Sequence, residues 1–253
     1  MNYICFTSGS CRVLCLFDKN ITNKKFDSIH YANLYTNTRG RDFIGKLHTA
    51  DQHLTFLKYI NQEIFISDED LKRLFAMKTE KVLGYLSVCP DYVFEKSIAN
   101  LNYLLNYQYI FIFEICSIKK NVDMYSKVSR QSELIKDEDM STNILVNDKD
   151  EFKNDLNELI EYVNKKYNYP LIIINEHIRN WIFDPEHKII NERQIIHDTI
   201  LEFENLYKNV KLVDPSSVIK LDDLNDPWHY NIQGLNKMHN LLYETIINYF
   251  NPK

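Results

Sequence analysis

Apolar and polar positions alternate along this chain in two periods, and the switches between them divide it into strands and helices. The first dozen residues hold a short apolar run from Tyr3 that meets Gly9 and Ser10, the pattern of a buried strand entering a turn. Residues 13–17 are apolar and short, enough for a turn or two of helix packed under a sheet. Residues 28–35 alternate as a second strand, followed by a polar loop with Gly40 and Gly45. Thr49 and Gln52 then have the spacing of a capping box, with Leu54, Leu57, Tyr59 and Ile60 as the apolar face of the helix they open. A further helix is expected after Ser67, carried by Leu71, Leu74 and Phe75.

The clearest strand is residues 109–115, a continuous run of β-branched and aromatic side chains of the kind covered on both faces in a parallel sheet. Residues 119–149 are polar and without period, and are expected to form a loop, either a lid or an insertion. Leu156, Leu159, Ile160 and Val163 mark an amphipathic helix that ends before Tyr169 and Pro170. A fourth strand is predicted at 171–175, a helix at 192–207, a fifth strand at 210–214 and a last helix at 232–250. In that last helix Leu235, Met238, Leu242, Ile246 and Tyr249 face the core. Strands and helices in alternation imply an α/β domain, a parallel sheet with helices on both faces. No internal repeat or linker divides residues 1–253, so one domain is expected.

Composition narrows the chemistry. The chain has 253 residues, 45% of them hydrophobic, and a net charge of −5 with both signs interspersed. That balance offers no basic field for a nucleic-acid backbone, so no nucleic-acid partner is expected. No stretch reaches the length of a membrane span and the first residues do not form a leader, so the expectation is an intracellular, soluble, cytoplasmic protein. The 5 cysteines, with Cys5, Cys11 and Cys15 near the start, form neither a paired framework nor a C-x-x-C site and read as reduced thiols. No metal and no cofactor is expected. Neither a dinucleotide fingerprint nor a phosphate-binding loop follows any strand.

Two stretches carry candidate chemistry. Gly9 permits a sharp turn that presents the Ser10 hydroxyl at the carboxyl edge of the first strand, where open α/β sheets bind ligands. Near the other end, Asp226-Pro227-Trp228-His229 precedes the last helix. A carboxylate three residues before an imidazole fixes its tautomer and leaves the far nitrogen to take a proton from a serine. The same spacing occurs at Asp27 with His30 and at Asp184 with His187. Only Asp226 and His229 lie between the final strand and the final helix, and so on the same sheet edge as Ser10.

Together these blocks resemble the SGNH/GDSL hydrolase superfamily, in the branch whose nucleophile motif reads Gly-Ser-Cys, as in GSCFA-type proteins. The resemblance spans most of the chain by order of elements and two short blocks by residue. It implies a flavodoxin-like, three-layer α/β/α sandwich on a five-stranded, mainly parallel sheet. It also implies Ser10 as nucleophile, His229 as general base and Asp226 as its orienting partner, in an esterase or acyltransferase. The substrate class implied is a small-molecule or carbohydrate ester, with no metal. In the superfamily a Gly after the second strand and an Asn after the third complete the oxyanion hole. Gly45 is the candidate for the first, and Asn175, after the fourth strand, is placed to reach the same crevice beside Ser10. The third strand here ends in Glu114-Ile115-Cys116-Ser117, without the Gly-x-Asn-Asp block.

Arg12, His48, His177 and Trp228 are the candidate substrate-binding residues. Each also has a plainer reading, as surface ion pair, loop polar group or helix staple. Ser10 itself also reads as a turn residue, and Cys11 is a rival nucleophile at the start of a helix. The alternative function is a catalytically inactive SGNH-like module that binds carbohydrate or protein.

Overall fold

A computed structural model of the chain describes residues 3–9, 13, 47–61, 63–66, 108–118, 120–123, 129–130, 143–146, 148–168, 170–175, 188–226 and 229–250. Strands β1 (Tyr3–Ser8), β2 (Gln108–Glu114), β6 (Leu171–Ile174) and β7 (Val210–Val213) form a four-stranded sheet in the order β1-β2-β6-β7. Every pairing in it is parallel. The fold is therefore α/β around a parallel sheet. The strand expected at 28–35 and the helix expected after Ser67 lie outside the described residues.

The helices follow from their apolar spacing. Helix α1 (Ala50–Ile60) buries Ala50, Leu54, Phe56 and Leu57, while α2 (Lys149–Lys166) buries Phe152, Leu156, Leu159, Ile160 and Val163. Helix α3 (Lys188–Leu206) contributes Ile196, Ile200 and Phe203 to the core, and α4 (Ile232–Phe250) contributes Leu235, Met238, Leu242 and Ile246. The end of α2 shows why it stops where expected. Asn168 adopts a positive φ of 54°, its N–H bonds back to the carbonyls of Val163 and Asn164, and Pro170 follows. Helix α3 is described from Lys188, a turn earlier than its apolar pattern suggests.

Alternation along the strands distributes the core to the two sides of the sheet. Phe111, Phe113, Leu171, Ile173, Val210 and Leu212 join α1, α2 and α3 in one apolar cluster. Ile110, Ile112, Ile172, Ile174 and Val213 join α4 in the other, and Val13, which is helical and buried, belongs to that second cluster.

The polar stretch 119–149 departs from the expected loop. It contains β3 (Lys120–Asp123), β4 (Ser129–Arg130) and β5 (Asn143–Val146), an antiparallel three-stranded sheet in the order β4-β3-β5. Segments of two to four residues are too short for a period of two to be legible. Asp148 then caps α2, its carboxylate accepting from the N–H groups of Asp150 and Glu151 at 2.8 and 2.9 Å. Among the described residues no helix is long and apolar enough to cross a membrane.

Candidate active site

The register of the sheet aligns the carboxyl ends of its strands. Ser8 pairs with Phe113, Glu114 with Ile174, and Ile174 with Val213. Gly9, the residues after Glu114, Asn175 and Asp214 therefore leave the sheet along one edge. Gly9 is buried with φ +154°, a conformation that residues bearing a side chain rarely adopt, and it lies against Glu114. A Cβ at Gly9 would stand 2.6 Å from Glu114 Cβ and 3.2 Å from its backbone nitrogen, so the expected glycine turn is both bent and tightly backed. Ser10, Cys11, Arg12, Gly45, His177 and Trp228 lie outside the described residues.

The loop before α1 reaches the same edge. Thr49 and Gln52 form the capping box that their spacing predicts. The Gln52 N–H donates to Thr49 Oγ1 at 3.3 Å, and Gln52 Oε1 accepts from Thr49 N–H at 3.3 Å and from His48 N–H at 2.8 Å. His48 is half-buried, and its carbonyl accepts from the N–H groups of Cys116 and Ser117 at 3.0 and 3.1 Å. The loop is thus bolted to the chain leaving β2, and His48 stands at the edge by its backbone.

One residue of this edge escaped the sequence reading. His53, on α1, is fully buried, stacks on Phe113 with ring centroids 4.7 Å apart, and places Nε2 2.9 Å from the carbonyl oxygen of Glu114. A carbonyl only accepts, which assigns the proton to Nε2. Burial lowers its pKa to about 4, against the raising influence of that hydrogen bond and of the Glu114 side chain. Helical spacing was the available signal: His53 lies three residues after Ala50 and four before Leu57, on the buried face. Glu114 itself is 4% exposed, a carboxylate set under the turn that Gly9 begins.

Asn175 is buried where β6 ends. Its Nδ2 donates to the Ile115 carbonyl at 2.9 Å, and its own N–H donates to the Val213 carbonyl at 3.1 Å. Among the described residues its Oδ1 has no hydrogen-bond partner. Asn175 is therefore at the expected edge, with one amide hydrogen already tying β6 to the end of β2.

The carboxyl-end block forms a hairpin instead of a simple turn. Strand β8 (Leu224–Asp226) pairs antiparallel with β9 (His229–Tyr230), and Asp226 and His229 are direct partners across it. His229 is exposed, whereas Tyr230 is buried in the cluster that contains α4 and Val13. Val13 and Tyr230 thus belong to one cluster on one side of the sheet. Compared with protein-family models and with curated proteins, the chain has no match.

Proposed function

We propose that this protein is a serine-dependent esterase or acyltransferase of SGNH type, acting on an ester such as an O-acyl group of a carbohydrate. The observation that carries the proposal is that Val13, Tyr230 and Leu235 belong to one apolar cluster. The Gly9 turn and the pairing of Asp226 with His229 support it.

In this reading the Ser10 oxygen attacks the acyl carbon while His229 removes its proton, and Asp226 orients and stabilises the imidazolium. The carbonyl π electrons move to oxygen, which backbone N–H groups near Ser10 stabilise. The tetrahedral intermediate collapses, the leaving alkoxide takes the proton back from His229, and an acyl-serine remains. Water or a sugar hydroxyl, deprotonated by His229, then releases the acyl group and restores Ser10. Gly45 and Asn175 are the further oxyanion candidates, and Arg12, His48, His177 and Trp228 the substrate contacts.

We further read the fold as a flavodoxin-like, three-layer sandwich with five strands. With residues 28–35 as the second strand beside β1, the order would be second, first, third, fourth, fifth. The division of helices supports it, since Val13 and α4 share one side while α1, α2 and α3 share the other. In that order the crevice between β1 and β2, where Gly9 meets Glu114, is the switch point at which ligands bind.

A fluorophosphonate probe tests the nucleophile. Labelling of the wild type and not of Ser10→Ala is expected, and equal labelling of both rejects Ser10. A second reading, a non-catalytic binding module, is favoured by the end of β2, which lacks the Gly-x-Asn-Asp block, and by the engagement of the Asn175 amide with Ile115. Hydrolysis of p-nitrophenyl acetate no faster than the uncatalysed background selects that module.

A further inference from the structure

We propose that Asp223 and Lys237 form a positioning lock that holds the hairpin of Asp226 and His229 in place, an inference that rests on the reading of that hairpin as the general-base arm. A hairpin of three residues against two has little stability of its own. Its exposed histidine nonetheless has to be held within about 0.5 Å of a productive position. What holds it is a set of bonds at both of its ends.

Asp223, in the 3-10 turn Leu221–Asp223 just before β8, is 1% exposed. Its Oδ2 accepts from Lys237 Nζ at 2.7 Å and from the Lys220 N–H at 2.8 Å. Burial pushes the carboxyl pKa up, but those two donors outweigh it and hold the group below its ordinary value, so it is ionised beside the ammonium. Lys237 stands in the second turn of α4, which is anchored to the sheet through Leu235 and Met238.

The backbone repeats the connection. The Asp223 carbonyl accepts from the Asn231 N–H at 2.9 Å, closing the chain just outside the two strands. Asn231 then caps α4, with Oδ1 accepting from the Gly234 N–H at 2.9 Å and Nδ2 donating to the Asp222 carbonyl at 2.7 Å. Gly234 leaves no gap in this contact, since a Cβ there would stand 2.3 Å from the Asp223 oxygen and 3.2 Å from Tyr230 Cβ. Strands β8 and β9 are therefore a short arm clamped at its base to the first turns of α4. Lys237 is the clamp's side-chain bolt.

The test uses the full chain and the variants Lys237→Met, Lys237→Arg and Asp223→Asn. Two readouts are taken: steady-state hydrolysis of p-nitrophenyl acetate, and amide hydrogen exchange at residues 224–231 under native conditions. Lys237→Met is expected to lower kcat by about tenfold to a hundredfold with KM unchanged, the scale of a misplaced catalytic group. It is expected to speed exchange at 224–231 and not in β2 or β6, and Lys237→Arg to restore both.

Unchanged kcat together with unchanged exchange in Lys237→Met overturns the lock, as does failure of Lys237→Arg to restore either. Should Lys237→Met not fold, Lys237→Gln carries the same readouts. If the wild type has no Ser10-dependent hydrolysis, the esterase reading falls by itself, and faster exchange in Lys237→Met still supports the lock while unchanged exchange overturns it.

Discussion

Gly9 packs directly on Glu114, with room for a hydrogen and nothing larger between the end of β1 and the side chain that closes β2. Gly9→Ala therefore meets both a backbone conformation unsuited to alanine and a contact with Cβ and backbone atoms that cannot swing aside. We expect it to cost about 2–4 kcal/mol, the sum of local strain and overpacking, seen as a lower urea midpoint. If Ser10 is the nucleophile proposed above, fluorophosphonate labelling of the folded fraction should fall as well, because Ser10 follows Gly9 directly in the chain.

His53 should make the protein acid-sensitive in the histidine range. Its folded pKa of about 4 lies below its unfolded value of 6.5, so the unfolded chain binds the extra proton. Its contribution is complete above the unfolded value and is lost as pH falls toward 4. Between pH 7 and pH 5 this group should remove about 2 kcal/mol of stability. Urea titrations at the two pH values, compared with His53→Gln, check it. The variant keeps a donor for Glu114 and should lack most of that loss.

Gln52 satisfies two backbone N–H groups in a loop whose next contact is the chain leaving β2. Gln52→Ala should cost about 1–2 kcal/mol, as for loss of a helix cap in a buried setting. Amide exchange at His48 and Thr49 should accelerate in parallel, and slow exchange there would show that the cap is not what holds the loop.

Asp226 and His229 should act as one unit with Ser10. Asp226→Asn and His229→Ala are each expected to lower kcat by about 10³-fold or more, and the double variant to fall no further than the worse single one. Multiplicative losses in p-nitrophenyl acetate hydrolysis would mean that the pair does not serve a common step. Iodoacetamide treatment should leave this activity intact, whereas inactivation with survival of Ser10→Ala would move the chemistry to Cys11.

Much of the frame was legible in the chain because burial on both faces writes itself as unbroken apolar runs. Residues 109–115, 171–175 and 210–214 are such runs, and they became β2, β6 and β7. The spacing of Leu235, Met238, Leu242 and Ile246 marked α4 with the same clarity. The antiparallel strands within 120–146 were not legible, since their pairing joins segments too short to show a period.

At the site, the glycine turn, the capping box and the edge position of Asn175 followed from sequence. His53 did not, because an imidazole on an apolar helix face looks like a break in that face instead of part of it. Nor did the union of Asp223 with Lys237, which joins residues 14 apart across a hairpin and obeys no local spacing.

Val13 lies in the same apolar cluster as Leu235, Met238, Leu242 and Ile246. Among the described residues, the helical cover of that side comes mainly from α4, so during synthesis this part of the cluster is completed only when α4 has left the ribosome. A nascent chain halted before Ile232 should expose this surface and associate with itself or with chaperones, as chains with late long-range contacts do.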